Sequence, residues 1–271
     1  MDQVGIGIDL GGTNCRAGLV SAEGLVGPML HMATGKNLSY PLFLDQLAAL
    51  WELPVRVVND ANAICWGEAL FGAGMEFSSF ITITLGTGVG GGLVLDRHIW
   101  RGADGTAGEI GHVTVVPDGR LCGCGNRGCL EQYASASALV RGVRERLIAG
   151  QSSPLLESQA ELNSSQVAAA ARAGDPMALA VMAEAGRALG TVLAGVANLL
   201  NLEGVVIAGG ASGSFDLLQP ILQDELQDRA FAVPGRRLRI VLGNLGDVAG
   251  ILGAADLARE NLPLTDASIY G

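Results

Sequence analysis

The chain is 271 residues long, 49% hydrophobic and only 16% charged, with 40 glycines. That is enough for one large or two medium domains with a sizeable core, and the composition is globular rather than disordered. Seventeen Lys and Arg against 27 Asp and Glu give a formal charge of −10 with no basic run, which argues against nucleic-acid binding, because neutralising phosphates needs clustered cations.

Val4, Ile6, Ile8 and Leu10 alternate with small or polar residues until Gly11-Gly12 turns the chain, and 15–20 and 24–32 continue the alternation. The pattern predicts a three-stranded antiparallel start. A helix is expected over 41–51, a strand over 54–58 ending in Asn59-Asp60, and a helix over 61–71. The apolar run 80–85 reads as a strand, broken by Gly86-Thr87-Gly88 and resumed over 89–95 and 98–100. Strand, glycine–threonine turn, strand therefore occurs at both 4–20 and 79–95, a weak internal repeat that points to two related α/β halves. Helices follow over 135–149, 165–173 and 176–200. The last is long and alanine-rich, as expected of a helix buried between domains. A buried strand over 204–208 opens onto Gly209-Gly210, with a helix near 215–229, a strand over 238–242 and a helix over 248–260 to finish. Segment 152–162 reads as a surface loop. No apolar stretch is expected to span a membrane, and the first residues lack the regions of a signal peptide. The odd count of five cysteines, without a secretion signal, points to a reducing cytoplasm.

Three glycine loops invite a phosphate reading. Asp9-Leu-Gly11-Gly12-Thr13-Asn14 lies between two strands, where glycines let backbone amides approach an anion and Thr13 adds a hydroxyl. The bland alternative is an ordinary hairpin turn. Asp9 fits a phosphate cradle if Mg²⁺ stands between them. Gly86-Thr87-Gly88-Val89-Gly90-Gly91 formally matches G-x-G-x-x-G, but a dinucleotide fingerprint must open a helix. These glycines run into a strand, so NAD is rejected. Ala208-Gly209-Gly210-Ala211 follows a buried strand and precedes a helix, where a ligand ring could lie against bare backbone. Together the three loops point to a bound nucleotide.

Three of the five cysteines fall within eight residues, as Cys122-x-Cys124-x₄-Cys129, with His112 ten residues upstream. Three thiolates and one imidazole make a closed tetrahedral zinc set with no place for a catalytic water, so a structural Zn²⁺ is expected. Glu109 and Glu131 bracket this knuckle. Either the metal braces them for a ligand, or the site is a bare zinc ribbon. Cys15 and Cys65 read as core thiols. Asp60, between a strand and a helix, reads on its own residues first as an N-cap. It is also well placed for a base in phosphoryl transfer.

Asp9-x-Gly-Gly-Thr, Asn59-Asp60-Ala-Asn, Leu85-Gly-Thr-Gly-Val-Gly-Gly-Gly, Gly108-Glu-Ile-Gly-His112, Cys-Gly-Cys-Gly-x-x-Gly-Cys-Leu-Glu131 and Gly246-Asp-Val-Ala-Gly resemble the ROK family in order and over nearly the whole chain. That family of repressors, open reading frames and sugar kinases implies an α/β, two-domain actin-like ATPase (ribonuclease H-like) fold. The small N-terminal domain would take 1–77 with 248–260, and the large domain 78–247. The implied activity is ATP-dependent phosphorylation of a hexose at its 6-hydroxyl, glucose first among sugars, with Asp60 as general base. Asn59, Asp60, Glu109, His112 and Glu131 would bind the sugar. Asp9, Gly11, Gly12, Thr13, Asn14, Thr87 and Gly88 would serve the phosphates and Mg²⁺, and Gly209 and Gly210 the adenosine. His112 would hold zinc through one ring nitrogen and the sugar through the other. The resemblance further implies a cytoplasmic homodimer. The family's repressors carry a winged helix-turn-helix ahead of the first glycine loop, which here begins at residue 9.

The chain departs from the family in one place. The pattern has a further helix and strand ending in a Gly-x-Pro-Gly sugar loop, and no such motif appears in 20–60. A strand-and-crossover unit takes roughly 30 or more residues. A shortened N-terminal domain is therefore expected. Strand 54–58 would either pair directly with strand 4–10 or border a gap, at a cost of several kcal/mol in unpaired backbone groups. The alternative function is a non-catalytic or weakly active sugar-binding or regulatory protein.

Overall fold

The computed structural model describes residues 4–10, 14–34, 49, 55–157 and 161–259. The chain divides into two compact units, one of residues 1–78, 92–107 and 243–271, the other of 79–91 and 108–242. Residues 92–107 therefore group with the first unit. In chain order the described elements are β1 (Gly5–Leu10), β2 (Asn14–Ser21), β3 (Gly24–Leu25), β4 (Leu30–Ala33), α1 (Asp60–Phe71), β5 (Phe80–Leu85), β6 (Val89–Leu95) and β7 (His98–Trp100). There follow α2 (Glu131–Ala134), α3 (Ala136–Ile148), α4 (Ser164–Arg172), α5 (Pro176–Leu200), β8 (Gly204–Ala208), α6 (Phe215–Arg229), α7 (Ala232–Arg237), β9 (Arg239–Leu242) and α8 (Ala249–Leu257).

In the first unit β2 pairs antiparallel with β1 along one edge, placing Asp9 opposite Arg16 and Leu10 opposite Cys15. Its other edge takes β3 at one end and β4 at the other. The single strand expected over 24–32 is thus two, because Pro28 between them has no N–H to give a ladder. Of the helix expected over 41–51 only Ala49 is described, and it is helical; the remainder lies outside the described residues. Residues 55–59 form no strand. Among the described residues β1 pairs only with β2.

Helix α8 organises this unit by packing on α1, β1 and β2. Ile251, Leu252 and Ala255 bury themselves with Val20, and Leu25, Phe71 and Leu245 close around them. Glycine makes the approach possible. A Cβ on Gly253 of α8 would lie 1.8 Å from the Ala63 carbonyl oxygen of α1, and one on Gly7 of β1 would lie 2.0 Å from the Ile251 oxygen. Both obstacles are backbone, which cannot swing aside. Gly253→Ala should therefore destabilise the protein by about 1–3 kcal/mol through overpacking, read as a lower denaturant midpoint at unchanged slope. Trp66 Nε1–H adds a polar tie between the helices, donating to Asp256 Oδ2 at 2.8 Å.

In the second unit β5, β8 and β9 lie side by side in that order, with β8 parallel to both β5 and β9. β8 (Gly-Val-Val-Ile-Ala) is buried along its whole length, as a parallel strand covered on both faces must be. Helix α5 starts with Asp175 capping the Ala178 N–H and Pro176 in its first turn, and ends at Asn201 in a left-handed conformation. Its length and composition would let it cross a membrane, contrary to the expectation that no stretch would, but more than half of its most apolar stretch is buried. It packs on α2, α3, α4, α6 and α7, all of its own unit, with α6 the most extensive contact. Gly209, just beyond β8, adopts φ +89°, and a Cβ there would meet the Leu85 backbone oxygen at 2.5 Å, so only glycine fits this turn.

Candidate functional site

In the first unit Asp60 opens α1, yet it is not the cap. Asn59 is, its Oδ1 accepting the Asn62 N–H at 3.1 Å. Asp60 instead accepts the Ala61 N–H at 2.7 Å and stays exposed. The two adjacent cap-type residues share the work: one fixes the helix start, and the other presents a carboxylate from its first turn. Asp9, on β1, lies 3.5 Å from Arg16 Nη1, and Arg16 Nη2 lies 2.9 Å from Asp247. Partial burial raises the Asp9 pKa, Arg16 pulls it back, and the charges of Asp60 and Asp247 raise it further. Asp9 and Asp247 thus share one guanidinium, and the charge of Asp60 is felt at Asp9, an excess of hard anionic oxygen that suits Mg²⁺. Of the adjoining loop, Gly11, Gly12 and Thr13 lie outside the described residues, and Asn14 begins β2, exposed.

Sequence patterning missed Arg16 and Glu68 here. Glu68 is buried, accepting the Ala73 N–H at 2.8 Å and the Leu245 N–H at 3.2 Å. It thereby ties the end of α1 to the turn that carries Asp247. The available signal was an acidic residue within the largely apolar run 64–71.

In the second unit the knuckle gathers its predicted ligands. The donor atoms of His112, Cys122, Cys124 and Cys129 all lie within 4.8 Å of one another. Cys124 Sγ is 3.7 Å from Cys129 Sγ, and Cys122 Sγ is 3.6 Å from His112 Nδ1. Zn–S arms of about 2.3 Å place tetrahedral sulfurs about 3.8 Å apart, so the donor set fits a zinc ion. Backbone bridges Thr114 to Cys129 and Leu121 to Arg127 fold the loop into this shape. Burial pushes the Cys122 thiol up, but hydrogen bonds from Cys124 and its neighbours bring it down to about 7. Burial and the adjoining sulfurs push Cys129 up to about 12. Three thiols this close cannot all ionise without a cation among them, which again fits a metal.

With Nδ1 turned to the sulfurs, His112 Nε2 faces the other way, 3.9 Å from Glu109 Oε2. Glu109 precedes the short turn carrying His112 and is half exposed. Glu131 opens α2, and its Oε2 accepts the Val89 N–H at 3.1 Å. It rests where a Gly88 side chain would be, 2.5 Å from that imagined Cβ. The Gly86-Thr87-Gly88 turn runs into strand β6 rather than a helix, which keeps the dinucleotide motif excluded. Helix α3 fixes this turn from behind. Ser137 Oγ–H donates to the Thr87 carbonyl at 2.9 Å and Ala136 N–H to that of Gly86 at 2.8 Å. Ser137 was also missed: its neighbour Ser135 caps the helix, a local signal, but the partner turn is 50 residues away. Gly210, beyond the tight Gly209 turn, has open space where a side chain would stand.

The first unit carries a carboxylate cluster, and the second a cysteine–histidine knuckle flanked by two glutamates. The model of the ROK family matches residues 29–261, and this chain belongs to the ROK family. It is 40% identical over 230 residues to a glucokinase of Streptomyces coelicolor, covering 81% of this chain and 72% of that protein. A glucokinase of Thermotoga maritima is 33% identical over 309 aligned positions, covering 95% of this chain and 98% of the relative. The crystal structure of a ROK family glucokinase from Streptomyces griseus with glucose and AMPPNP superposes with a TM-score of 0.79 at 32% identity, covering 95% of this chain and 99% of the other. The fold is therefore the actin-like ATPase α/β fold, and these relatives at 33–40% identity are glucokinases.

Proposed function

We propose that this protein transfers the γ-phosphoryl group of ATP to the 6-hydroxyl of a hexose, glucose before other sugars, with Asp60 as general base. The observation that carries the proposal is the placement of Asp60. Its backbone is fixed by the Asn59 cap while its carboxylate stays exposed at the first turn of α1. Glucokinase relatives at 33–40% identity support the choice of sugar.

The chain's own residues divide the task. Asp60 takes the hydroxyl proton as that oxygen attacks phosphorus. Asn59 has spent its Oδ1 on the cap, which leaves its Nδ2–H as a donor to the sugar. Glu109 and Glu131 accept hydrogen bonds from sugar hydroxyls, and His112 Nε2 serves the same sugar while Nδ1 holds the metal. Fixing one ring nitrogen on zinc sets the tautomer and direction of the other. Zinc, closed by four protein ligands, would supply shape rather than chemistry. Asp9 would hold the Mg²⁺ that accompanies ATP and spreads charge along the phosphates. Gly11, Gly12, Thr13, Asn14, Thr87 and Gly88 would line the phosphates, and Gly209 and Gly210 the adenosine. We place the protein in the cytoplasm, as a homodimer.

Gly88 has a further consequence. An alanine there would displace the Glu131 carboxylate, whose flexible end yields sooner than the backbone. Losing its bond to the Val89 N–H, worth about 1–1.5 kcal/mol, should raise the sugar KM about tenfold with kcat far less affected, measured by steady-state kinetics.

A second reading is a weakly active sugar-binding protein. An alignment of 309 positions against a chain of 271 residues means that the Thermotoga maritima glucokinase carries segments without counterpart here. A coupled assay of ADP formation with glucose, mannose, fructose and N-acetylmannosamine separates the two. Turnover highest on glucose supports the kinase. Silence on every sugar, with glucose binding still visible by calorimetry, supports the second reading.

A further inference from the structure

Gln132 follows Glu131 directly and is nearly buried, at 8% exposure. Its side-chain Nε2–H donates to Cys122 Sγ at 3.4 Å. Its backbone is held at both ends: the N–H donates to the Cys129 carbonyl at 3.0 Å, and the carbonyl accepts from Arg120 at 3.0 Å and Arg141 at 2.7 Å. Arg120 belongs to the knuckle itself. It lies over the Tyr133 ring at 4.7 Å and pairs with Glu145 of α3 at 2.9 Å and Glu184 of α5 at 3.2 Å. A buried amide that gives its proton to sulfur, in a backbone clamped by two guanidiniums, has its direction set from both sides.

We propose that Gln132 is a positioning residue that couples the sulfur cluster to the carboxylate of Glu131. Its amide draws electron density from the Cys122 thiolate and fixes where that sulfur points, while the same residue's clamped backbone sets the start of α2, from which Glu131 projects. This rests on the zinc reading of the knuckle. Outer partners of metal ligands typically govern affinity by 10- to 100-fold: without its N–H donor the Cys122 sulfur loses its fixed direction toward the metal, which outweighs the gain in electron density that lowers its charge-transfer energy.

The test loads the full chain with Zn²⁺ or Co²⁺ and compares wild type with Gln132→Leu and Gln132→Glu. Both variants should lose zinc to a chromogenic chelator with affinity lowered about 10- to 100-fold. Both should move the sulfur-to-cobalt charge-transfer band to lower energy. Glutamate should be the worse of the two, because it sets a carboxylate against a thiolate. If Gln132 served only to fill space, glutamate, the closer match in shape, would be the milder. Because glutamate keeps the volume, a variant remains should leucine prevent folding. Zinc affinities within twofold of wild type and an unmoved cobalt band, or glutamate milder than leucine, would overturn the proposal alone. A wild-type chain that binds neither ion would remove the zinc reading and this proposal with it.

Discussion

Asp60→Asn should lower kcat by about 10²- to 10⁴-fold, the range that a positioned general base supplies, while leaving the sugar KM within a few-fold. The substitution is close to isosteric, and the asparagine oxygen can still accept the Ala61 N–H that Asp60 accepts at 2.7 Å. The Asn59 cap, which starts α1, is untouched. Neither the helix nor the hydroxyl contacts assigned to Glu109, His112 and Glu131 should therefore change. What disappears is the capacity to remove a proton, so the loss falls on the chemical step. The measurement is steady-state kinetics on the hexose that the coupled assay selects, with the thermal midpoint as control. A variant that turns over as fast as wild type would sink the assignment of Asp60. A variant that loses activity together with ten degrees of thermal stability would show that the carboxylate supports the helix instead.

Which parts of this molecule could be read from sequence depended on how far apart the interacting residues lie. The knuckle was legible because its ligands sit within 18 residues, and spacing there is nearly geometry. The β1–β2 hairpin was legible because alternation between Val4 and Val20 has a period that no helix shares. The Asp9–Arg16–Asp247 cluster was not. Placing Arg16 opposite Asp9 requires the strand register, and bringing Asp247 to Arg16 requires α8 to fold back on the first sheet. Glu131 on the Val89 N–H spans 42 positions and leaves no local mark except an unexplained glycine at 88. The cap at Asn59 was displaced by one residue onto Asp60, since both are cap-type residues and sequence places helix ends only to within a residue or two. The run 54–58 failed for a different reason. Its valines suit a strand, but a strand is made by its neighbour, and residues 50–54 just before it lie outside the described residues.

Removing the metal should have the other large effect. Prolonged treatment with a strong chelator should release one zinc per chain and abolish hexose binding, by at least 100-fold in calorimetry, and Cys129→Ser should do the same without chelator. Structural zinc in small closed sites contributes an apparent 10–16 kcal/mol or so, comparable with the whole stability of about 5–15 kcal/mol of a typical domain. The knuckle has little else to hold it. Cys129 is fully buried, but Leu121, Cys124 and much of the loop face solvent, so apolar burial there is small. Without the cation the three sulfurs and His112, within 4.8 Å of one another, must share protons or move apart. Movement of His112 takes its Nε2 from Glu109, and movement of Cys129 disturbs the start of α2 and hence Glu131. The core of the second unit should survive, because the most extensive packing of α5 is on α6, and its tie to the knuckle is the Arg120–Glu184 ion pair. Far-ultraviolet circular dichroism should therefore fall only slightly as sugar binding is lost. Metal-free protein that binds glucose as tightly as the loaded form would mean that the knuckle is a bare ribbon, and that the sugar is held without the support of His112 and Glu131.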